Sequence, residues 1–161
     1  MRILLALACA LGLAGCTPGA DHPAPAAPLP SAPLPSNAPS VVTIDVNLTL
    51  NAATSIAPGT SGGFRPALTT VTVGTPVRFM NSDGFSHTAT SLGAGTTFPG
   101  GSPLGTSALT QNGSLLSQGF SSGVLQAGAS SQTLIADQAG TYLYGCFFHY
   151  GAPMRAAIVV Q

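Results

Sequence analysis

The most constraining feature of the sequence is a strict alternation of apolar and polar residues that begins near residue 42. Every second residue in this segment is apolar, and the apolar positions are Val42, Ile44, Val46, Leu48 and Leu50. A period of two places such side chains on one face of an extended chain. Residues 42–50 are therefore predicted to form a half-buried β-strand.

Further strand-like runs follow, with turn residues such as Gly74-Thr75-Pro76 between them. They are LTTVTV, VRFMN, HTAT, SQTLIA, TYLYGC and AAIVV. The chain contains 20 Gly and 14 Pro, which favour short strands and turns over long helices. Seven or eight short strands without a long helix predict an all-β Greek-key sandwich or barrel over residues 41–161.

Residues 92–119 interrupt this pattern with Gly, Ser, Thr, Pro and scattered Leu. The segment is longer than an ordinary connection between strands. We expect a surface insertion with a short helical turn near Ser114 to Ser117, or else a poorly ordered segment.

The N-terminus has the features of an export signal. Met1-Arg2 precedes the apolar run ILLALACALGLAG, which is too short to span a bilayer but suits the apolar region of a signal peptide. The run ends in Leu13-Ala14-Gly15-Cys16, which resembles a bacterial lipobox. We expect a signal peptide at residues 1–15 and lipidation of Cys16, the alternative being an ordinary signal-peptide or buried cysteine.

Residues 16–40 are predicted to form a tether between the lipidated cysteine and the folded domain. The stretch after Cys16 is rich in Pro and Ala, so it has too few apolar side chains to build a core and favours extended, semi-rigid backbone. His22 lies in this stretch and is interpreted as part of the spacer. If Cys9 leaves with the signal and Cys16 carries lipid, Cys146 is the one cysteine left, and no internal disulfide can form.

Charge excludes one broad class of function. The chain has 4 basic and 4 acidic residues, so its formal net charge is zero. A protein that binds nucleic acid through its phosphates needs a basic surface, which this composition cannot provide. We therefore expect no nucleic-acid partner.

The chemistry of the chain is concentrated in one short segment near the C-terminus. Cys146, His149 and Met154 lie within nine residues, between two strand-like runs. Thiolate and thioether sulfur together with imidazole nitrogen suit copper, and two His and one Cys with a weak axial Met form an electron-transfer copper site. His87 is the other imidazole of the domain and is the candidate fourth ligand. Taken singly, Cys146 could be a small core residue and Met154 a filler of the core.

From about Phe64 to Gln161 the chain resembles the cupredoxins, the blue copper proteins of the plastocyanin and pseudoazurin kind. The resemblance is carried by Asn81 and His87 upstream and by the pattern Tyr142, Tyr144, Cys146, His149 and Met154. It implies a cupredoxin-like barrel with one type 1 copper ion bound by His87, Cys146, His149 and Met154. It also implies an electron port at His149, framed by an apolar docking patch of Phe85, Tyr150, Gly151, Ala152 and Pro153.

The chain departs from the plastocyanin pattern in three ways, one of which is the aromatic pair Phe147 and Phe148 between Cys146 and His149, together with the insertion at 92–119. The other two lie next to His87 and Cys146. Thr88 stands where plastocyanins usually have an Asn that ties the two ligand loops together, so a weaker connection is expected. Gly145 stands where they usually have a Tyr before the Cys, which puts a second electron route in doubt. Asn81 and Thr88 are the residues expected to support the ligands from behind.

These observations predict a one-electron carrier and not an enzyme. Copper oxidases and nitrite reductases need additional His-rich copper sites, and the domain has no His beyond His87 and His149 to build one. Its expected partner is a redox protein such as a cytochrome, oxidase or reductase. We expect a monomer, held on the outer face of a membrane by its lipid. The alternatives are a lipoprotein that stores or delivers copper and a surface module that binds no metal.

Overall fold

The structure is a computed structural model that describes residues 39–161. The predicted signal peptide, Cys16, His22 and all but the last two residues of the predicted tether lie outside the described residues. Within residues 39–161, no helix is long and apolar enough to cross a membrane.

The described part of the chain is built almost entirely of short strands, with one 3-10 helix at Thr106–Leu109. The strands are β1 Val42–Val46, β2 Thr54–Ile56, β3 Gly59–Ser61, β4 Phe64–Arg65, β5 Leu68–Val71, β6 Pro76–Asn81, β7 Thr90–Ala94, β8 Gln111–Asn112, β9 Ser121–Ser122, β10 Leu134–Ile135, β11 Gly140–Gly145 and β12 Arg155–Val160.

Two sheets form the sandwich, and the predicted all-β fold class is confirmed. One sheet has the order β10-β6-β1-β4 and the other the order β5-β12-β11-β7-β9-β8, while β2 and β3 form a separate hairpin. β1 pairs with β6 in parallel, and β12 pairs with β5 in parallel and with β11 antiparallel. The strands outnumber the predicted seven or eight because loops and the insertion contribute pairings of only two residues.

The core between the sheets is aromatic at its centre. The ring of Tyr144 lies 4.9 Å from that of Phe64 and 5.0 Å from that of Phe79, measured between centroids. Phe120 stacks on Phe79 at 5.8 Å. Tyr144 and Cys146 belong to the same core cluster, because every second side chain along β11 faces inward. The alternation along β11 thus places the side chain of Cys146 in the interior.

The first predicted strand ends earlier than its apolar pattern suggests. β1 stops at Val46, and Leu50 is 74% exposed. The backbone turns there because the side-chain oxygen of Asn47 accepts a hydrogen bond from Leu50 N at 2.8 Å, and Asp83 Oδ2 accepts one from Leu48 N at the same distance. Side chains that bond to nearby backbone N–H groups compete with sheet pairing in this way.

The insertion is built into the sandwich by strand pairing and side-chain packing. Its first residues continue β7, and β8 pairs with β9 at the edge of the larger sheet. Its helical turn lies at Thr106–Leu109, so the position expected near Ser114 to Ser117 is wrong. Phe98 packs with Leu143 and Ala157 in a second cluster, which covers part of the outer face of the sheet.

Candidate metal centre

Three of the predicted ligands lie on the connection between β11 and β12. Cys146 follows β11 directly, and Met154 directly precedes β12, where Gly145 pairs with Arg155. Cys146 N donates to Met154 O at 3.0 Å, and Met154 N donates to His149 O at 3.1 Å. These backbone bonds hold the two ends of the loop together, so the ligand spacing in sequence becomes a compact loop in space.

His87 comes from a different part of the chain, and Asn81 holds its loop in place. Asn81 is fully buried, and its Nδ2 donates to Phe85 O at 2.8 Å and to Leu125 O at 2.9 Å. His87 exchanges two backbone hydrogen bonds with Leu125, at 3.1 and 2.8 Å. The loop is thereby fixed on both sides, and His87 projects into the interior with no exposed surface.

The donor atoms of His87, Cys146 and His149 converge at one end of the sandwich. Cys146 Sγ lies 3.7 Å from His87 Nδ1 and 3.6 Å from His149 Nδ1, and the two Nδ1 atoms are 3.2 Å apart. An ion bound at ~2.0–2.3 Å to two nitrogens and one sulfur needs separations of roughly 3.1–3.8 Å between them. The three atoms therefore fit a single metal ion in near-trigonal arrangement.

The electrostatics of the site oppose metal binding at the thiol and favour it at His149, because a ligand must be deprotonated to bind a metal. Burial raises the pKa of the Cys146 thiol, and burial together with the neighbouring His87 lowers the pKa of His149. Without a metal, the thiol thus tends to stay protonated and His149 to stay neutral. A divalent or monovalent metal ion would displace the thiol proton and use the lone pairs of the neutral rings.

Thr88 connects the two ligand loops, although a weaker connection was expected from the absence of Asn. Thr88 Oγ1 accepts a hydrogen bond from Phe147 N at 2.9 Å. Thr88 N donates to Cys146 Sγ at 3.4 Å, and Thr88 is fully buried. The shorter side chain reaches the second loop because the loops lie close together, and its backbone N–H stabilises a thiolate.

Met154 is fully buried in the same core cluster as Cys146. Gly63 lies against it with a φ of 70°, and a Cβ at that position would be 2.5 Å from Met154 Cγ and 3.1 Å from its Sδ. The space occupied by the thioether therefore depends on a glycine 91 positions earlier in the chain, which sequence reasoning did not identify. Its signal, a Gly-Gly pair before Phe64, is too common to be recognised alone.

The predicted docking patch is only partly at the surface. Phe85 is 45% exposed, Gly151 and Ala152 are exposed, and Pro153 is half-buried. Tyr150, in contrast, is 3% exposed, so its place in a solvent-facing patch is wrong. Its hydroxyl donates to Pro99 O at 3.0 Å, which turns the ring inward toward the insertion.

The burial of Tyr150 also explains why Gly145 precedes the cysteine. A Cβ at Gly145 would lie 2.7 Å from Cδ2 of the Tyr150 ring. The guanidinium of Arg155 lies 5.2 Å from the centres of both the Tyr150 and Phe98 rings. The ligand loop is therefore packed against the start of the insertion, and the position before Cys146 must stay without a side chain.

A small apolar surface does surround His149. Phe148, which sequence reasoning did not include, is 45% exposed. Together with Phe85, Ser86 and His149 it lines a shallow depression of about 240 Å³. His149 is half-buried, so one ligand of the centre lies next to this depression while His87 and Cys146 are shielded from water. Another cavity, of about 430 Å³, is lined by residues 50–52, by Thr54 and by residues 64–67.

Asp83 contacts the buried ligand and was not predicted. Its Oδ2 lies 3.1 Å from His87 Nε2. Burial raises the pKa of this carboxyl, but hydrogen bonds from His87, Gly84, Thr49 and Leu48 outweigh burial and lower the pKa below 3.8. Asp83 is thus a carboxylate near neutral pH. A partner of this kind behind a metal-binding His is common in metal sites, but nothing in the local sequence indicates which acid supplies it.

Fold and site together define an all-β sandwich protein in which, among the described residues, one group of His and Cys side chains could hold a metal ion.

The structure is similar to that of a purple cupredoxin from Nitrosopumilus maritimus, with 19% identity, a TM-score of 0.48, and coverage of 74% of this chain and 99% of that one. It is also similar to a methionine-to-alanine variant of amicyanin in the Cu(I) form, with 15% identity, a TM-score of 0.46, and coverage of 75% and 82%.

Comparisons at the level of sequence add no relative. No family model matches the chain, and no curated protein matches its sequence. The function of the protein must therefore be inferred from the geometry of its own site.

Proposed function

We propose that the protein is a single-copper electron carrier of the cupredoxin type. The observation that carries the proposal is the convergence of Cys146 Sγ with Nδ1 of His87 and His149, at mutual distances of 3.2 to 3.7 Å. One thiolate and two imidazoles are the equatorial donors of electron-transfer copper sites. Met154, from the same loop, is the candidate axial ligand.

When bound, copper would supply one-electron chemistry by alternating between Cu(II) and Cu(I). The chain's own residues hold the ligands nearly in place before any metal arrives, because both ligand loops are tied by backbone bonds and by Thr88. His87, Cys146 and Met154 have no surface in contact with water. A rigid, dry ligand set changes little between oxidation states, which suits electron transfer more than release of the metal.

The apolar depression beside His149 supports the choice of an electron carrier over an enzyme. Phe85, Phe148 and the half-buried His149 offer a surface for a partner protein. Its lining includes no Arg or Asp, so docking should depend on apolar contact. We infer that a redox protein docks here through apolar surface and that electrons pass through His149, the ligand closest to the depression.

We further propose that the protein works outside the cytoplasm as a lipid-anchored monomer. This part rests on the sequence of residues 1–40 and on Cys16. The membrane would then be one partner and the redox protein the other. Metabolic labelling with a fatty acid should mark the wild-type chain and leave a Cys16→Ala variant unlabelled.

The test of the proposed copper site is the visible and electron paramagnetic resonance spectrum after adding one equivalent of Cu(II). We expect an intense thiolate-to-copper absorption band, a narrow copper hyperfine splitting, and reversible bleaching by a mild reductant. A weak, broad spectrum would contradict the ligand set. A coloured protein that passes copper rapidly to a chelator would favour copper delivery over electron transfer.

Two substitutions assign the ligands within this test. Cys146→Ser should abolish the thiolate-to-copper band, since the hydroxyl cannot supply that transition. Met154→Gln should keep the band and lower the reduction potential, because an oxygen donor favours the oxidised ion more than a thioether does. Thr106→Ser, in the insertion, is a matched control that should change neither property. A raised or unchanged potential in Met154→Gln would exclude Met154 as the axial ligand.

A further inference from the structure

Within residues 39–161, Asp83 is the one acidic residue whose side chain contacts a predicted ligand, and hydrogen bonds to the backbone hold its carboxylate in place. It is 7% exposed. Its Oδ2 accepts hydrogen bonds from Leu48 N at 2.8 Å and Thr49 N at 3.3 Å, and its Oδ1 accepts from Gly84 N at 2.8 Å. The orientation of the carboxylate is therefore set by the backbone of the fold and not by His87 alone.

This orientation determines which nitrogen of His87 is free. A carboxylate 3.1 Å from Nε2 can only accept a hydrogen bond, so Nε2 carries a proton and Nδ1 is the nitrogen left to bind an ion. Nδ1 then carries the lone pair, and it is Nδ1 that faces Cys146 Sγ and His149 Nδ1. The ring is fully buried, so water cannot compete for either nitrogen.

The charge of Asp83 is not neutralised by a cation. Among the described residues, the one possible ion-pair partner of Asp83 is His87, and its ring is uncharged when Nδ1 binds a metal. The groups packed around the carboxylate are otherwise backbone N–H groups and the hydroxyl of Thr49, which are neutral. A fixed negative charge beside a ligand favours the more positive of two oxidation states.

We propose that Asp83 is a positioning residue of the metal centre, which presents Nδ1 of His87 to the ion and favours Cu(II) over Cu(I). The proposal rests on the proposed copper site and adds to it a residue that controls its redox equilibrium. Reduction brings one electron from the partner protein into the centre and lowers the centre's charge by one. Asp83 opposes that change, so it lowers the reduction potential.

The first test compares Asp83→Asn with Asp137→Asn in the copper-loaded full chain. Asp137 is also a carboxylate that accepts a hydrogen bond, from Ser117 N. It lies near the start of β6, whereas Asp83 follows the end of β6, and this strand spans roughly 20 Å at ~3.3 Å per residue. At a fixed applied potential, Asp83→Asn should shift the ratio of oxidised to reduced protein about tenfold toward the reduced form, which is a rise of about 59 mV for one electron. Asp137→Asn should leave the ratio unchanged. Equal behaviour of the two variants would overturn the proposal.

The second test needs neither copper nor a variant. In the metal-free wild-type protein, nitrogen-15 chemical shifts of the imidazoles should show His87 with its proton on Nε2 and a bare Nδ1. A proton on Nδ1 would overturn the proposal even if Asp83→Asn failed to fold. If the wild type formed no blue copper centre at all, the proposed function itself would fail, whereas a blue wild type with an unchanged potential in Asp83→Asn would refute only the role of Asp83.

Discussion

Replacement of Gly63 by Ala tests how the fold makes room for the axial ligand. The new Cβ would lie 2.5 Å from Met154 Cγ, 3.1 Å from Sδ and 3.2 Å from Cε. Two costs add together. A φ of 70° is unfavourable for a residue with a Cβ by about 1 kcal/mol, and forcing extra volume into a packed core costs about 1–3 kcal/mol. We expect the free energy of unfolding to fall by about 2–4 kcal/mol.

Gly128 separates the two costs, because it has a φ of 76° but nothing within 4 Å of an added Cβ. Gly128→Ala should lose only about 1 kcal/mol. The gain from a less flexible unfolded chain is the same for both variants and cancels in the difference. Urea denaturation of the metal-free proteins, followed by circular dichroism, measures both values. Equal losses in the two variants would refute the claim that Met154 fills the space beside Gly63.

A double variant sharpens this prediction. If the added methyl group clashes with the thioether, Met154→Ala should remove most of the extra cost of Gly63→Ala, with a coupling energy of about 1–3 kcal/mol. Strictly additive losses would show that the clash involves other atoms. In the copper-loaded protein, Gly63→Ala should also shift the visible spectrum, since displacement of Met154 changes the axial contact.

Three further outcomes follow from the site. Thr88→Val should lower the unfolding free energy by about 1–3 kcal/mol, because it leaves the N–H of Phe147 without its acceptor, and a loss within the error of denaturation would exclude that role. Tyr150→Phe should cost only about 0.5–1.5 kcal/mol and leave the copper spectrum unchanged, and a changed spectrum would place the Tyr150 hydroxyl in the metal centre. The pKa of His149 lies below 6.5 in the folded protein. Below pH 6.5 the unfolded chain therefore binds more protons than the folded protein does, so the unfolding free energy of the metal-free protein should decrease as the pH falls. His149→Gln should flatten that dependence in a urea series over pH, and an equally steep slope would contradict it.

The strands were predictable where side-chain period alone decides the structure. Alternation near Val42 and along Tyr142 to Cys146 reflects one inward face, and β1 and β11 lie at these positions in the structure. The end of β1 was not predictable, because Leu48 and Leu50 continue the pattern. The chain turns at that point since its N–H groups bond to Asn47 and to Asp83, which lies 35 positions later.

By itself, the sequence determined the donor types and the spacing of Cys146, His149 and Met154, because a single loop between two paired strands brings them together. Only the tertiary structure decided that His87 joins them, since its Nδ1 meets Cys146 Sγ across 59 positions of chain. The same is true of Asp83 behind His87. Contacts of this kind depend on which strands are neighbours and how the sheets face each other, and no local pattern encodes that arrangement.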